Sequence, residues 1–370
     1  MLASTVTPGC YVHVPFCVSK CRYCAFFSET SHDQMAAWSD AVVDEARLLE
    51  PMFGAFDTLY LGGGTPSVLP DERLGALIDA LRRVLRFCED AEITIELNPG
   101  DVDRDRAKRW RAMGIARASV GVQSFDDAAL RFLGRRHDAA RAGAVLDDLR
   151  GAGFESVGID LIWGIPGQAL GQTMRSLEQA LSFEPEHLSC YALTLEAGTP
   201  LQRDVAAGVV GEVSEDALAD EAMALWGRLA GAGYDHYEVS SFARTRAHRS
   251  RHNTKYWHHA PYLGLGPAAH SFDGGRRWAN VRSVRDYVER VGAGQRPLAF
   301  EETLTEEQVR SEKIVLGLRT SEGIARAWVN GSALEALRAE GLITLTDDRV
   351  IPTERGMLVA DAMAVVLDGS

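Results

Sequence analysis

The sequence predicts an α/β chain that forms an incomplete, TIM-like (β/α)6 barrel and ends in a small helical, winged-helix-like domain. Three observations predict it. Short β-branched or apolar runs alternate with helical patterns, the order of a parallel sheet wrapped by helices. Six such units can be counted, short of the eight that close a full barrel. Glycine and polar residues gather just after the strand ends, where a parallel barrel builds its active site. A flatter doubly wound sheet is the alternative. At 370 residues with 46% hydrophobic composition, the chain can bury one large core and a smaller one.

The expected strands are Cys10 to Val14, Thr58 to Leu61, Glu92 to Leu97, Ala118 to Val122, Ser156 to Ile162 and Leu188 to Leu193. Helical patterns cover Asp33 to Leu49, Asp71 to Arg86, Asp103 to Met113, Ala139 to Ala152 and Leu170 to Leu181. A cysteine-rich loop follows the first strand and Gly62-Gly63-Gly64-Thr65-Pro66 the second. Glu96-Leu97-Asn98-Pro99 ends the third, Gln123-Ser124-Phe125 ends the fourth, and Asp160 sits late in the fifth before Trp163-Gly164. One such match is weak; five on one rim are not. The stretch from Glu196 to Gly211 shows no clean period and reads as a long loop.

Beyond Arg296 the pattern changes. A helix from Thr305 to Leu318, another from Ala333 to Glu340, a turn at Gly341, two short strands around Asp347-Asp348 and a last helix after Gly356 give a winged-helix look. The chain divides into a barrel core (1–235), a connecting region (236–300) and a C-terminal domain (301–370). Winged helices often bind DNA, but two aspartates at a wing tip repel phosphate. A net charge of -13 argues the same way, against nucleic-acid partners.

Cys17, Cys21 and Cys24 form a Cys-x3-Cys-x2-Cys run with no fourth cysteine nearby. Three thiolates on a short loop can hold three corners of a 4Fe-4S cube and leave one iron open to a small molecule. A structural zinc needs four protein ligands, usually as two separated pairs, and no second pair is present. Unconnected thiols are the other reading, against which stands half of the six cysteines falling within eight residues. Cys10, Cys88 and Cys190 read as small core residues. Met1 to Gly9 lacks a basic start and an apolar core, and no window reaches a membrane span, so a cytoplasmic protein with reduced thiols is expected.

The rim residues each have a bland reading. The triple glycine lets backbone groups approach a ligand or makes a tight turn, and it is no Walker loop. Glu96 could hold a ribose or ammonium group; alone, it is more often solvated or ion-paired. Arg135 is ordinarily a helix-end cation and Gln123 an ordinary cap.

With its cysteine spacing the chain resembles the radical S-adenosylmethionine superfamily. Tyr-Val-His-Val-Pro-Phe-Cys17, Gly-Gly-Gly-Thr-Pro-Ser67, Ile-Glu-Leu-Asn-Pro-Gly100, Ser119-Val-Gly-Val-Gln-Ser-Phe and Gly158-Ile-Asp-Leu-Ile-Trp-Gly-Ile-Pro-Gly167 look like the branch of oxygen-independent coproporphyrinogen III oxidases and their heme-chaperone relatives. The resemblance runs from Tyr11 to about Gly323. It implies that Cys17, Cys21 and Cys24 ligate a 4Fe-4S cluster. Tyr11, Gly62, Gly63, Gly64, Thr65 and Glu96 then match positions contacting the methionine and ribose portion of S-adenosylmethionine. Tyr23, Gln123, Arg135 and Asp160 match positions serving a second copy of that cofactor in the oxidases. It also implies that an electron from the cluster can cleave S-adenosylmethionine to a 5'-deoxyadenosyl radical and methionine.

Two departures separate the chain from the oxidases of porphyrin biosynthesis. Phe26 stands where they place a further cysteine, and only sixteen residues precede Cys17, leaving no room for their N-terminal segment. One feature points to heme. His252-Asn253-Thr254-Lys255-Tyr256-Trp257 matches the His-Asn-x-x-Tyr-Trp motif of the chaperones. Heme needs an iron ligand, flat apolar surface and cations for its propionates. His252, Tyr256 and Trp257, with Arg244, Arg246, Arg249 and Arg251, supply all three, and His258, His259 and His270 are rival ligands. The bland reading is a packed histidine beside a solvated arginine loop.

The resemblance therefore implies a heme chaperone that binds the cluster, S-adenosylmethionine and heme and transfers heme to an acceptor, for example in the respiratory chain. Membrane contact would be peripheral, through that acceptor, and homodimerisation stays open. The alternative is a coproporphyrinogen III oxidase; a winged-helix regulator sensing iron or oxygen ranks third.

Overall fold

The computed structural model describes residues 6–329 and 331–369, so most of the Met1 to Gly9 start lies outside the described residues. Six parallel strands follow one another in chain order across the sheet: β1 (Gly9–Val14), β2 (Phe56–Gly63), β3 (Phe87–Leu97), β4 (Arg117–Gln123), β5 (Ser156–Trp163) and β6 (His187–Ala192). The helices α1 (Met35–Leu49), α2 (Asp71–Val84), α3 (Arg104–Ala112), α4 (Asp127–Leu133), α5 (Ala139–Gly151) and α6 (Leu170–Ser182) lie between them. This is the expected (β/α)6 arrangement, with α4 added. The helix starts follow local chemistry: Asp103, Asp126 and Asp138 cap α3, α4 and α5 by accepting backbone N–H bonds.

The inner faces of these strands explain their mixed composition. Alternate residues of a strand share one face. Glu96 lies opposite Ser119 across β3 and β4, and Asp160 opposite Ser189 across β5 and β6. Inward positions that would be apolar in a packed barrel are thus polar here, while the outward face packs Ile95, Val120, Ile159 and Leu188 under the helices.

The expected loop from Glu196 to Gly211 is corrected by the structure, because α7 (Pro200–Ala206) lies inside it. Thr199 caps that helix and Pro200 opens it, a start signal that a search for apolar period passes over. The long α8 (Glu215–Gly231) follows. The connecting region continues the barrel sheet on both sides. At one edge, β7 (Asp235–Glu238) and β8 (Ser241–Ala243) add antiparallel strands beyond β6. After α9 (Arg251–Trp257), β9 (Tyr262–Leu265) pairs parallel with β1 at the other edge. β10 (His270–Phe272) and β11 (Arg276–Asn280) come next; then, after α10 (Val284–Gly292), β12 (Leu298–Thr303) completes a sheet of twelve strands.

The C-terminal elements are α11 (Glu306–Gly317), β13 (Ile324–Ala325), α12 (Gly331–Ala339), β14 (Ile343–Leu345), β15 (Arg349–Pro352), α13 (Glu354–Leu358) and α14 (Ala360–Asp368). They carry their own three-stranded sheet and an apolar cluster that includes Ile314, Leu318, Leu334, Val350 and Met363. Asp347 and Asp348 are exposed at the turn between β14 and β15. Ion pairs fasten this module to the barrel, with Arg249 3.1 Å from Glu322 and Arg319 3.1 Å from the buried Glu238. Among the described residues no helix is long and apolar enough to cross a membrane.

Candidate functional site

The loop after β1 carries the three thiols and is pinned at its base. The Cys17 N–H donates to Glu29 O at 2.9 Å and the Glu29 N–H to Pro15 O at 2.7 Å. Arg22 clamps its middle, donating to Phe132 O at 3.1 Å and pairing with Asp204 of α7 at 2.6 Å. The Cys17 thiol and Thr65 hydroxyl lie 3.3 Å apart, and Arg135 donates to Cys21 Sγ at 3.4 Å. All three thiols are partly exposed, whereas Cys10 and Cys190 are buried in the core and Cys88 is half-buried on β3. Among the described residues, no three His, Cys, Asp or Glu side chains are already drawn together around a point for a metal ion.

The glycine loop packs against the cysteine loop. The Gly64 N–H donates to Val14 O and the Thr65 N–H to Phe16 O, both at 2.8 Å. A Cβ at Gly64 would stand 2.8 Å from both of the carbonyls of Val14 and Phe16, so this glycine serves loop approach. Gly63 has φ +105° and a Cβ there would meet His13 at 2.5 Å. At Gly62 a Cβ would come within 3.0 Å of the Glu96 carboxyl. The triple glycine is both a turn and a way to seat Glu96.

A cavity of about 660 Å³ opens beside these loops. Tyr23, Cys24, Gly63, Gly64, Thr65, Glu96, Gln123, Arg135 and Asp160 all line it, so the structure brings most of the sequence-selected residues together. Glu96 accepts from the Tyr60 hydroxyl at 2.8 Å and the Gly63 N–H at 3.1 Å. Its burial, reinforced by the nearby Asp160 charge and partly offset by the Tyr60 and Gly63 bonds, pushes its carboxyl up to about 7. Burial also raises Asp160, which accepts from the Ser119 hydroxyl at 3.1 Å. Two half-buried carboxyls with weakened acidity thus face one cavity, which Arg117 and Arg135 also line. Two further groups are left over, because Thr94 Oγ1 and Arg135 Nε are buried without a hydrogen-bond partner. Gln123 holds φ +67° where the register of β4 shifts, a left-handed conformation unusual for glutamine and more than a cap requires.

Tyr11, His252, Tyr256 and Trp257 sit elsewhere. Tyr11 lines a second, smaller cleft of about 340 Å³ on the other side of Ala25-Phe26, together with Tyr256. His252 is 0% exposed. Its Nδ1 lies 2.7 Å from Thr58 Oγ1 and its Nε2 2.9 Å from the Tyr256 hydroxyl, so neither nitrogen is offered to an iron. Burial, with help from Lys255, holds its basicity down to about 3 and keeps it neutral. Trp257 lies under Arg319, whose guanidinium stands 5.4 Å from its ring. Each arginine of the run has a carboxylate neighbour: Arg244 pairs with Glu184, Arg249 with Asp235 and Arg251 with Asp57, and the largely exposed Arg246 lies 3.8 Å from Glu322. In this segment the packed-histidine reading describes the geometry, and the motif joins the barrel to the C-terminal module.

The model of the Radical SAM superfamily matches residues 11–180. Over 98% of this chain and 95% of the relative, the sequence is 36% identical to the heme chaperone HemW of Mycobacterium tuberculosis. It is 31% identical to that of Bacillus subtilis over 95% of this chain and 96% of the relative. The crystallised coproporphyrinogen III oxidase of Escherichia coli superposes with a TM-score of 0.84 over 99% of this chain and 91% of its own, at 24% identity, which shows a shared fold. The chain is thus of the radical S-adenosylmethionine class and belongs to the HemW heme-chaperone family.

Proposed function

We propose that the protein binds heme and hands it to an acceptor protein, with Cys17, Cys21 and Cys24 holding a 4Fe-4S cluster and the 660 Å³ cavity taking S-adenosylmethionine. The observation that carries this reading is the end-to-end relation to proteins named as heme chaperones. Three neighbouring thiols without a fourth fit a cluster with an open iron. The half-buried pair Glu96 and Asp160 fits the sulfonium and ammonium charges of the cofactor. Arg135 Nε, Thr94 Oγ1 and the backbone of Gly63 and Gly64 offer the polar contacts its ribose and carboxylate need. When bound, cluster and cofactor supply one-electron chemistry; the chain's own residues position them and exclude water. Tyr23, Gln123, Arg135 and Asp160, the positions that serve a second copy in the oxidases, share the cavity with Glu96.

The proposal keeps a cytoplasmic location, a respiratory-chain acceptor reached peripherally, no nucleic-acid partner and the division at 235 and 300. The test is anaerobic: load the cluster, add S-adenosylmethionine, and offer hemin and coproporphyrinogen III separately. Stoichiometric hemin binding without decarboxylation is expected. Conversion of the porphyrinogen would make the protein an oxidase despite Phe26.

A further inference from the structure

Of the chain's ten histidines, nine have a ring nitrogen in a hydrogen bond or ion pair. Among the described residues His270 alone has neither, and it is exposed. It lies on β10 at the rim of the second cleft, with Tyr11, His13, Phe26, Phe27 and Arg282 around it. Across the strands, His270 pairs with Ala279 and Ala279 with Phe300, which puts imidazole and phenyl on one face with only a methyl group between them. Their ring centroids are 6.0 Å apart. Phe26, which shares the cleft lining with His270, is 68% exposed and Phe300 43%, an unusual amount of open aromatic surface near a free imidazole. Arg282 rests over the Phe27 ring at 5.8 Å and has no carboxylate partner among the described residues, unlike the arginines near His252.

We propose that this cleft is the heme site: His270 ligates the iron, Phe26 and Phe300 cover the macrocycle, and Arg282 pairs with a propionate. The inference rests on the heme-binding reading and assigns its place. A free imidazole lone pair, flat apolar walls and an uncommitted cation are the three things heme asks of a protein. The site also stands next to the cofactor cavity, because Ala25 and Phe26 line both. The chain leaving Cys24 is therefore one wall of the heme cleft, which ties the position of Phe26 to that of the cysteine loop. That gives Phe26 a use in the place where the oxidases carry a cysteine.

The experiment titrates the full, cluster-loaded chain with hemin and with hemin dimethyl ester, following the Soret band. The wild type is compared with His270→Gly, Arg282→Glu and His252→Ala. His270→Gly is expected to lose the imidazole-ligated spectrum and weaken hemin binding by about tenfold or more, to regain the spectrum with free imidazole, and to keep S-adenosylmethionine binding. Arg282→Glu should weaken hemin but not its dimethyl ester, and His252→Ala should keep the wild-type spectrum. Wild-type spectrum and affinity in His270→Gly would overturn the assignment while leaving the heme-binding reading intact. A wild type that takes up no hemin would overturn that reading itself.

Discussion

The Tyr60 hydroxyl donates to Glu96 Oε1 at 2.8 Å, deep in a cavity where burial holds the Glu96 carboxyl up to about 7. A cationic ligand favours the carboxylate, so binding one expels a proton from Glu96 at neutral pH. Affinity for S-adenosylmethionine is therefore full above about 7. As pH falls below that value it drops by roughly tenfold per unit. Glu96→Gln binds weakly and loses the proton release that belongs to Glu96. Calorimetric titration across that pH range in two buffers of different protonation enthalpy reads the proton release; an affinity independent of pH would remove Glu96 from the site.

The cysteine loop depends on a helix that holds no thiol. Arg22 pairs with Asp204 of α7 at 2.6 Å, with both side chains more than a third exposed, so the pair itself is worth at most about 1 kcal/mol. Arg22→Ala should leave the melting temperature nearly unchanged yet release the loop and speed cluster loss to a chelator several-fold. Equal rates of bleaching in variant and wild type would show that the clamp does not matter.

His252 is a structural residue in this account. His252→Ala leaves Thr58 Oγ1 and the Tyr256 hydroxyl without their partner in a closed space. The cost is about 2–4 kcal/mol, read by urea denaturation of the folded apo protein. A fully stable variant would contradict the packed role.

The C-terminal module is fastened by a buried carboxylate. Glu238 has 2% side-chain exposure and pairs with Arg319. Arg319→Ala strands that charge at a cost of about 3 kcal/mol, and adding Glu238→Gln should recover most of it. If the double variant is no more stable than the single one, Arg319 acts through its stacking on Trp257 instead.

Element order carried the fold. All six barrel strands lie where alternation of apolar runs and helices put them, since each is covered on its outer face and its residues must be apolar there. The rim residues were legible for a related reason, because Glu96, Gln123 and Asp160 are polar at strand ends that the fold makes converge. The helix α7 was not, because seven residues starting at Thr199-Pro200 are defined by a cap rather than by a period. For His252 the motif gives residue types, and only packing reveals that both ring nitrogens are hydrogen-bonded. His270 had one signal in the sequence, its place near the His252 motif as a rival ligand, but its aromatic surroundings and its freedom from partners belong to tertiary structure alone.

The most direct test of the central claim is delivery. Cluster-loaded protein carrying one equivalent of hemin is mixed anaerobically with a heme-free b-type cytochrome, and the Soret band is followed as heme changes hosts. Complete transfer is expected, faster than hemin leaves the protein to a passive scavenger and slowed in the Cys17→Ala protein. Retention of heme, or transfer no faster than its spontaneous loss, would contradict the claim.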